Sequence, residues 1–459
     1  MLLNPSLFKF HKAPLLCILV SLILYASFAY DLARTEAAKL VLLYTALFIC
    51  AYFLKKSAGF NFSLLVIASI LMRLVFLPAI PNLSQDFYRF IWDGRMLFEG
   101  FNPYLYTPDS FIQNSEFPVE QAKELYNGMG TLNASHFTNY PPINQFCFYI
   151  AALFSGKSIT GAIVSLRVLI IAADIGTLYF GKKLLEALKL PSSRIWWYML
   201  NPFIIIELTG NLHFEGVMIF FLVWSLYLLQ TNRWKLAAVI FACSISVKLI
   251  PLMFLPIFFG WFWKRKKDAS ASLRMTNLVL FYVIVIGSTM ALFLPFFSMK
   301  FIDNYAQTVG LWFNNFEFNA SIYYLAREIG YAITGYNEIK TIGKILPVVA
   351  LLIILYFSFF RKNITIPKLT SSILIAFTYY LFLSTTVHPW YLATLVILCL
   401  FTNYRFPLIW SVAIILSYLA YISIGNADKS ENLWIIALEY TIVFSAFIWE
   451  VLLRRKIRI

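Results

Sequence analysis

A run of charged and aromatic residues opens the long polar insert between the apolar segment ending near Pro81 and the one starting after Pro142. Asp86, Arg89 and Asp93 are spaced i, i+3 and i+7, so a helix places all three on one face. A carboxylate beside cationic and aromatic groups at a membrane boundary can act as a general base toward a sugar or lipid hydroxyl. We predict this catalytic role for Asp86.

The other charged residues of this run are predicted to support the same site. Asp93 would orient it, whereas Arg89 and Arg95 would clamp a phosphate or pair with the acids. The alternative is an interfacial helix whose charges are only solvated. The density of different polar groups on this short stretch favours the functional interpretation.

A second polar cluster joins two apolar segments farther along the chain. Glu207, Asn211, His213 and Glu215 fall within nine residues of otherwise apolar sequence, although Gly210 with Asn211 would suffice for a turn. We predict that the four residues bind substrate, the alternative being a solvated loop. One histidine with carboxylates, and no second histidine within helical reach, is a poor zinc site, so we predict no metal.

Three further positions are predicted to contribute to binding. Lys248 lies in an apolar segment, where a charge costs about 2.5–3.5 kcal/mol, so it should face a cavity or an anion unless it snorkels to the interface. His388 and Tyr391 end an apolar segment and would line the site or belong to an aromatic belt. Arg327 is a candidate phosphate clamp.

The composition identifies the elements that must position these residues. Of 459 residues, 61% are hydrophobic and 13% are charged, about half the charged fraction of a soluble domain. Apolar runs long enough to cross a bilayer recur throughout, which predicts an all-α, polytopic bundle of about 12–14 spans. The net charge of +15 lies in short connections, as expected for cytoplasmic loops and not for a nucleic-acid partner.

We predict a single integral membrane domain over 1–459, with two extracytoplasmic loops at 82–142 and 297–341. Residues 86–98 have the composition of a helix lying in the interface. The segment 143–155 either dips in without crossing or crosses against the charge rule. The predicted spans are 14–30, 37–54, 60–80, 158–181, 195–209, 212–230, 234–248 paired with 250–263, 275–296, 342–360, 369–386, 389–402, 407–424 and 433–452.

Several motifs are absent from the sequence. There is no glycine-rich phosphate loop, nucleotide-binding βαβ unit, or nucleophilic serine or cysteine constellation. A soluble nucleotide-sugar or ATP site is therefore unsupported, and we predict no cofactor. An activated donor for a transfer reaction would be lipid-borne and would act as a co-substrate.

Taken together, the motifs resemble those of the GT-C superfamily of integral membrane glycosyltransferases, and especially the polyprenyl-phosphate-mannose-dependent mannosyltransferases. They run in order over most of the chain. The matching residues are Asp86, Tyr88-Arg89, Trp92-Asp93-Gly94, Gly100-x-Asn102-Pro103-Tyr104, Tyr140-Pro-Pro142, Asn201-Pro202, Glu207, Gly210-Asn211-x-His213-x-Glu215, Val247-Lys248, Pro251, Pro256 and His388-Pro-Trp-Tyr391.

The resemblance implies inverting transfer of a hexose, with mannose preferred, from a polyprenyl-phosphate donor to a glycan or lipid hydroxyl, with Asp86 as base. Lys248, His213, His388 and Arg327 would stabilise the departing phosphate. The sequence has no Asp-x-Asp doublet at Asp86, so we expect a metal-independent reaction.

Two rival classes remain open from the residues alone. The intramembrane charges also suit a transporter or a lipid or glycolipid flippase, although no matched pair of broken helices marks two halves. A third possibility is a ligase or polymerase that uses a diphosphate-linked oligosaccharide. We predict a multi-pass protein of a bacterial cytoplasmic membrane, in preference to the endoplasmic reticulum, with its site on the extracytoplasmic side and membrane lipids as partners.

Overall fold

The computed structural model describes residues 12–59, 61–264, 270–314, 316–423 and 431–453. Over these ranges the chain forms helices and no β-strand, apart from one isolated parallel bridge between Phe318 and Thr386. The predicted all-α polytopic class is confirmed.

Helices of three kinds make up the described chain. Seven are long and apolar enough to cross a membrane: Lys12–Tyr30, Ala37–Ala58, Ile159–Ala187, Ala271–Phe296, Ile339–Phe359, Ile366–Leu383 and Leu433–Leu453. Five shorter apolar helices are Phe62–Leu74, Trp234–Val247, Ile250–Trp263, Pro389–Cys399 and Phe406–Leu419. The remaining helices include Asp86–Phe98, Pro108–Gln113, Ala122–Ala134, Pro142–Ser155, Met299–Asn314 and Ile322–Thr334. The number of crossings stays a prediction.

One further candidate span is bent. Pro202–Gly210 and Glu215–Gln230 meet at 115° across a break of four residues. The first half ends in a π-helical turn, and Arg167 donates hydrogen bonds to its last carbonyls, Thr209 O at 2.8 Å and Gly210 O at 2.9 Å. These carbonyls would otherwise be unsatisfied, so a buried guanidinium stabilises the bend. The break between the two halves carries part of the predicted site.

The helix Pro142–Ser155 ends beside the polar insert. Lys157, two residues beyond it, pairs through Nζ with Glu120 Oε1 at 2.5 Å. The chain is therefore still beside the polar insert when this helix ends, and the next helix, Ile159–Ala187, is a candidate span. The contact between Lys157 and Glu120 supports the alternative in which 143–155 dips in without crossing, which stays a prediction.

Basic residues group near the C-terminal end of helix Ile159–Ala187. Lys182 lies 5.3 Å from the ring centroid of Phe62, and Lys55 lies 3.9 Å from that of Trp197. We call this the Lys55 end of the bundle and the opposite one the Asp86 end. The grouping of basic residues at one end agrees with the positive-inside pattern.

The helix Asp86–Phe98 packs against protein. Its amphipathic pattern predicts a helix that lies in the membrane interface, and nine of its thirteen residues are buried in protein. The ring of Phe90 stacks on Phe148 at 4.7 Å, and a Cβ at Gly94 would lie 2.2 Å from the Phe148 carbonyl oxygen. Close contact with helix Pro142–Ser155 therefore covers the apolar face that lipid would otherwise cover.

Candidate active site

Asp86 begins its helix at the junction of two cavities. Its carboxylate lies in the first turn, where the helix dipole favours a negative charge. No described residue donates a hydrogen bond to this carboxylate, and the side chain is only partly buried. Both cavities are lined by Asp86, Asn139, Tyr140, His388 and Trp390.

The larger of the two cavities, about 300 Å³, is mostly apolar. Helix Ile339–Phe359 contributes one wall, and the break after helix Trp234–Val247 contributes another. Its polar lining residues include Asp86, Lys248, Ser384, Thr385 and Thr386, so one carboxylate and one ammonium share a cavity whose walls are mainly apolar. Apolar lining residues are Leu249, Ile250, Met253, Val309, Leu346, Pro347, Ala350 and Leu383.

The smaller cavity, about 180 Å³, is lined mainly by polar residues. It is formed by the end of helix Ala122–Ala134, the chain leading to Tyr140, and Thr308 and Phe316 of the predicted loop 297–341. Its polar side chains are Gln85, Asp86, Arg89, Asn133, His136, Thr138, Asn139, Tyr140, Thr308 and His388. This composition suits a hydroxyl-rich ligand, because each hydroxyl needs donors and acceptors.

Lys248 is held in place by two neighbours. Its Nζ lies 3.2 Å from Glu215 Oε1 and 5.0 Å from the ring centroid of Tyr140. Glu215 is fully buried, whereas the Lys248 side chain is 18% exposed. The ammonium therefore has a fixed carboxylate partner and keeps a face toward the cavity that contains Asp86.

Four aromatic rings form a stack beside Asp86. Trp390 stacks on His213 with centroids 3.7 Å apart and on His388 at 4.5 Å, and His388 lies 5.4 Å from Phe318. His213 comes from the break in the bent span, Phe318 from the chain before helix Ile322–Thr334, and His388 and Trp390 from the chain after helix Ile366–Leu383. The stack therefore fixes these segments relative to one another, and flat aromatic faces border the cavities.

The electrostatics of the site favour a carboxyl of raised pKa and a neutral imidazole. Burial raises the pKa of the Asp86 carboxyl above its usual range, Lys248 lowers it, and Glu215 raises it again. Burial, and secondarily the Lys248 ammonium, lowers the pKa of His388 to about 3. His388 is therefore uncharged near neutral pH and can serve as a hydrogen-bonding group, but not as a cation.

The second polar cluster lies next to this site. Glu207 accepts a hydrogen bond from Tyr418 at 2.7 Å, and its other oxygen lies 3.8 Å from His213 Nε2. Asn211 accepts a hydrogen bond from the Leu83 N–H at 3.1 Å. Because Leu83 precedes Asp86 by three residues, Asn211 fixes the chain that leads into the catalytic candidate.

Three residues predicted to bind substrate, Arg89, Asp93 and Arg95, form hydrogen bonds within the loop 82–142. Arg89 Nε lies 2.8 Å from Asp93 Oδ1, and Arg89 also binds the carbonyls of Asn133 and His136 at 2.8 and 2.9 Å. Arg95 donates to the Glu120 carbonyl at 2.5 Å. Of these, only Arg89 borders a cavity that contains Asp86, since it lines the polar one.

Arg327 is not brought to Asp86. Its guanidinium binds Glu317 at 2.5 Å and Glu328 at 3.1 Å and lies 4.5 Å from the Tyr324 ring centroid. It lines neither of the cavities that contain Asp86. To bind a phosphate, the Arg327 guanidinium would first have to separate from Glu317 and Glu328.

Two residues of the site, Tyr140 and Trp390, were not predicted as site residues from the sequence. Tyr140 contacts Lys248, and Trp390 is the central ring of the stack, yet the chain contains 27 tyrosines and 12 tryptophans. The available signal is position: Trp390 lies inside the His388–Tyr391 motif, and Tyr140 precedes the two prolines that begin helix Pro142–Ser155.

Comparison with known proteins agrees with this architecture. Residues 18–265, more than half of the chain, match the family described as alpha-(1->6)-mannopyranosyltransferase, N-terminal domain. The chain therefore belongs to this family of membrane mannosyltransferases. The predicted resemblance is confirmed at the level of the family.

A curated relative shows the same similarity over a shorter stretch. The chain is 24% identical over 182 residues to alpha-(1->6)-mannopyranosyltransferase A of Corynebacterium glutamicum. The match covers 39% of this chain and 34% of that relative.

Proposed function

We propose that this protein transfers a mannosyl group from a polyprenyl-phosphate donor to a hydroxyl of a glycan or lipid acceptor on the extracytoplasmic face. The observation that carries this proposal is the position of Asp86 between two cavities, one walled by apolar helices and bordered by Lys248, the other bordered mainly by polar side chains of the first polar insert. One suits a lipid-linked phosphate and the other suits a sugar. The family and the relative, both described by mannopyranosyl transfer, support the choice of sugar.

The apolar cavity is the proposed donor side. A polyprenyl phosphate needs a hydrocarbon surface and a cation, and this cavity offers both, with Lys248 as the cation. Glu215 holds the ammonium without closing it off. A phosphate in this position would place the anomeric carbon of its sugar toward Asp86.

The polar cavity is the proposed acceptor side. Its amide and hydroxyl groups would orient an acceptor whose hydroxyl donates to the Asp86 carboxylate. The aromatic faces of Trp390 and Tyr140 border both cavities and would pack against the rings of the sugars.

The bonds and protons of the proposed reaction balance without a further reactant. The Asp86 carboxylate takes the acceptor proton, the hydroxyl oxygen bonds to the anomeric carbon, and the bond from that carbon to the phosphate oxygen breaks. The lipid phosphate leaves with the electron pair, next to Lys248. A single in-line displacement inverts the anomeric carbon, so an α-product requires a β-linked donor.

The test is a transfer assay on the purified full chain in lipid. The donor is β-linked polyprenyl phosphate carrying radiolabelled mannose. The acceptor is an alkyl α-mannoside with a free C6 hydroxyl, because the family is described by α-(1->6) transfer. The 6-deoxy mannoside is the matched control acceptor.

We expect a labelled disaccharide with the first acceptor and none with the control. Nucleotide-linked mannose should not replace the lipid donor. Retention of the donor anomer in the product would contradict the single displacement. Movement of the lipid or sugar across the bilayer with no glycosidic product would contradict the enzyme itself.

A further inference from the structure

A larger cavity, about 1450 Å³, lies at the Lys55 end of the bundle, opposite the candidate active site. Its walls come from helices Ala37–Ala58, Ile366–Leu383 and Phe406–Ala413 and from the chain before the bent span. None of the residues proposed for catalysis lines it. Its charged lining residues are Lys55, Arg194, Arg361, Lys362, Lys368, Arg405 and Glu450.

The positive charge of this cavity is not neutralised by acidic side chains. Within the described ranges, none of its six cations forms an ion pair with an aspartate or a glutamate. Glu450 instead accepts hydrogen bonds from the backbone N–H groups of Arg405 and Phe406 at 2.6 and 2.9 Å. Among the described residues, Arg194 donates to the carbonyls of Leu400 and Thr402 and to no acidic side chain. An anion would complete this set of donors.

The remaining lining makes the cavity amphipathic. Ile49, Tyr52, Phe53, Ile409 and Val412 line it and are each between 41% and 52% exposed. They lie on two helices whose apolar composition suits the interior of a bilayer. Exposed apolar side chains on such helices meet hydrocarbon, so the cavity joins a basic head region to a surface that suits lipid chains.

We propose that this basic cavity binds the phosphate headgroup of an anionic lipid, with the lipid chains against the exposed apolar residues of the two helices. The positive-inside pattern predicts that the Lys55 end is cytoplasmic, so the lipid would come from that leaflet. An acidic glycerophospholipid and a polyprenyl phosphate share the required chemistry. The proposal does not depend on the reaction at Asp86.

The test is native mass spectrometry of the full chain in detergent, titrated with phosphatidylglycerol, phosphatidylcholine or polyprenyl monophosphate. The cavity variant is Lys368→Gln with Arg405→Gln, both of which are exposed side chains. The matched control is Lys56→Gln with Lys235→Gln, which removes the same charge from exposed positions outside the cavity lining. The pair Lys368→Arg with Arg405→Lys keeps the charge.

We expect the wild type, the matched control and the charge-keeping pair to bind phosphatidylglycerol much more tightly than phosphatidylcholine. The cavity variant should lose about 30-fold in affinity for the acidic lipid. Tighter binding of polyprenyl phosphate at equal concentration would identify it as the source of the headgroup, and tighter binding of phosphatidylglycerol would identify the phospholipid.

Three results would overturn the proposal. Equal affinity of the cavity variant and the matched control would remove the basic cavity as the binding site. Equal binding of phosphatidylglycerol and phosphatidylcholine would remove the role of the anion. Displacement of both acidic lipids by millimolar inorganic phosphate would remove the contribution of the lipid chains.

Discussion

Asp86 and Asp93 lie two turns apart on one helix, but their surroundings differ. Asp93 is fully buried, and its two oxygens accept hydrogen bonds from Arg89 at 2.8 Å and Gln145 at 3.0 Å. Asp86 borders two cavities, and no described residue donates a hydrogen bond to its carboxylate. A carboxylate with both oxygens occupied can stabilise the fold, whereas one that faces open space can take a proton from a ligand.

The same contrast separates the cations inside the bundle. Arg73 is 1% exposed and pairs with Asp174 at 2.6 Å, so its charge is closed off by protein. Lys248 also has a carboxylate partner, but it keeps contact with a cavity. We therefore predict a role in the reaction for Lys248, which borders a cavity, and a structural role for Arg73, which does not contact either cavity at Asp86.

The largest effect on stability should follow from Asp93→Asn. Removal of this charge leaves Arg89 buried without its anion, and breaking a buried ion pair costs about 3–5 kcal/mol. We expect the free energy of unfolding in detergent to fall by about that amount. Transfer activity per folded molecule should change little.

Glu99→Gln is the control for this measurement, because Glu99 is exposed at the end of the same helix. It should change neither stability nor activity. A loss of activity in folded Asp93→Asn as large as that of Asp86→Asn would remove the contrast between the two carboxylates.

Lys248→Met should lower the rate and also destabilise the fold, because it leaves the buried Glu215 carboxylate unpaired, so the rate is measured per folded molecule. Without the ammonium, the departing phosphate loses its nearest proposed positive charge, and removal of one such group typically costs about 10²–10³ in kcat. Steady-state kinetics with the lipid donor measure this effect, and Lys248→Arg should retain more activity than Lys248→Met. An unchanged kcat in Lys248→Met would exclude Lys248 from stabilising the leaving group.

Gly94→Ala should lower stability by about 1–3 kcal/mol. The new Cβ would lie 2.2 Å from the Phe148 carbonyl oxygen, so the two helices would have to separate. Gly287→Ala is the control, since its Cβ would meet no atom within 4 Å. Equal thermal unfolding midpoints of the two variants would contradict the close packing of these helices.

The smallest effect should be on the pH profile. Lys248 and Arg34 lower the pKa of Asp86 against the effect of burial, so Lys248→Met should raise it. The base works only when deprotonated, and activity is lost as the pH falls through this pKa. The acid limb of the residual activity should therefore move to higher pH. A shift to lower pH would contradict the proposed coupling.

The sequence predicts part of this arrangement and not the rest. The helical class follows from the apolar runs, and placing Asp86, Lys248, His388 and Tyr391 at one site required only their position at the ends of such runs. The sequence left open whether Arg89 clamps a phosphate or pairs with the acids, because helical spacing identifies a shared face but not what covers it; the structure has the pair with Asp93. Whether these residues act on substrate stays a prediction.

The sequence also did not predict which parts of the protein surround the charged residues. The amphipathic pattern of helix Asp86–Phe98 is the same whether lipid or protein covers its apolar face, and the structure has protein there. The basic cavity at the Lys55 end joins residues from 45 to 450, a separation that no local pattern reveals. Long-range packing decided both.

The most direct test of the central claim is the turnover of purified Asp86→Asn, normalised to folded protein and compared with Glu99→Gln. The amide keeps the shape of the side chain but cannot accept the acceptor proton, so turnover should fall by about 10²–10⁴-fold with an unchanged unfolding midpoint. Glu99→Gln should behave as the wild type. Wild-type turnover in folded Asp86→Asn would show that Asp86 is not the base.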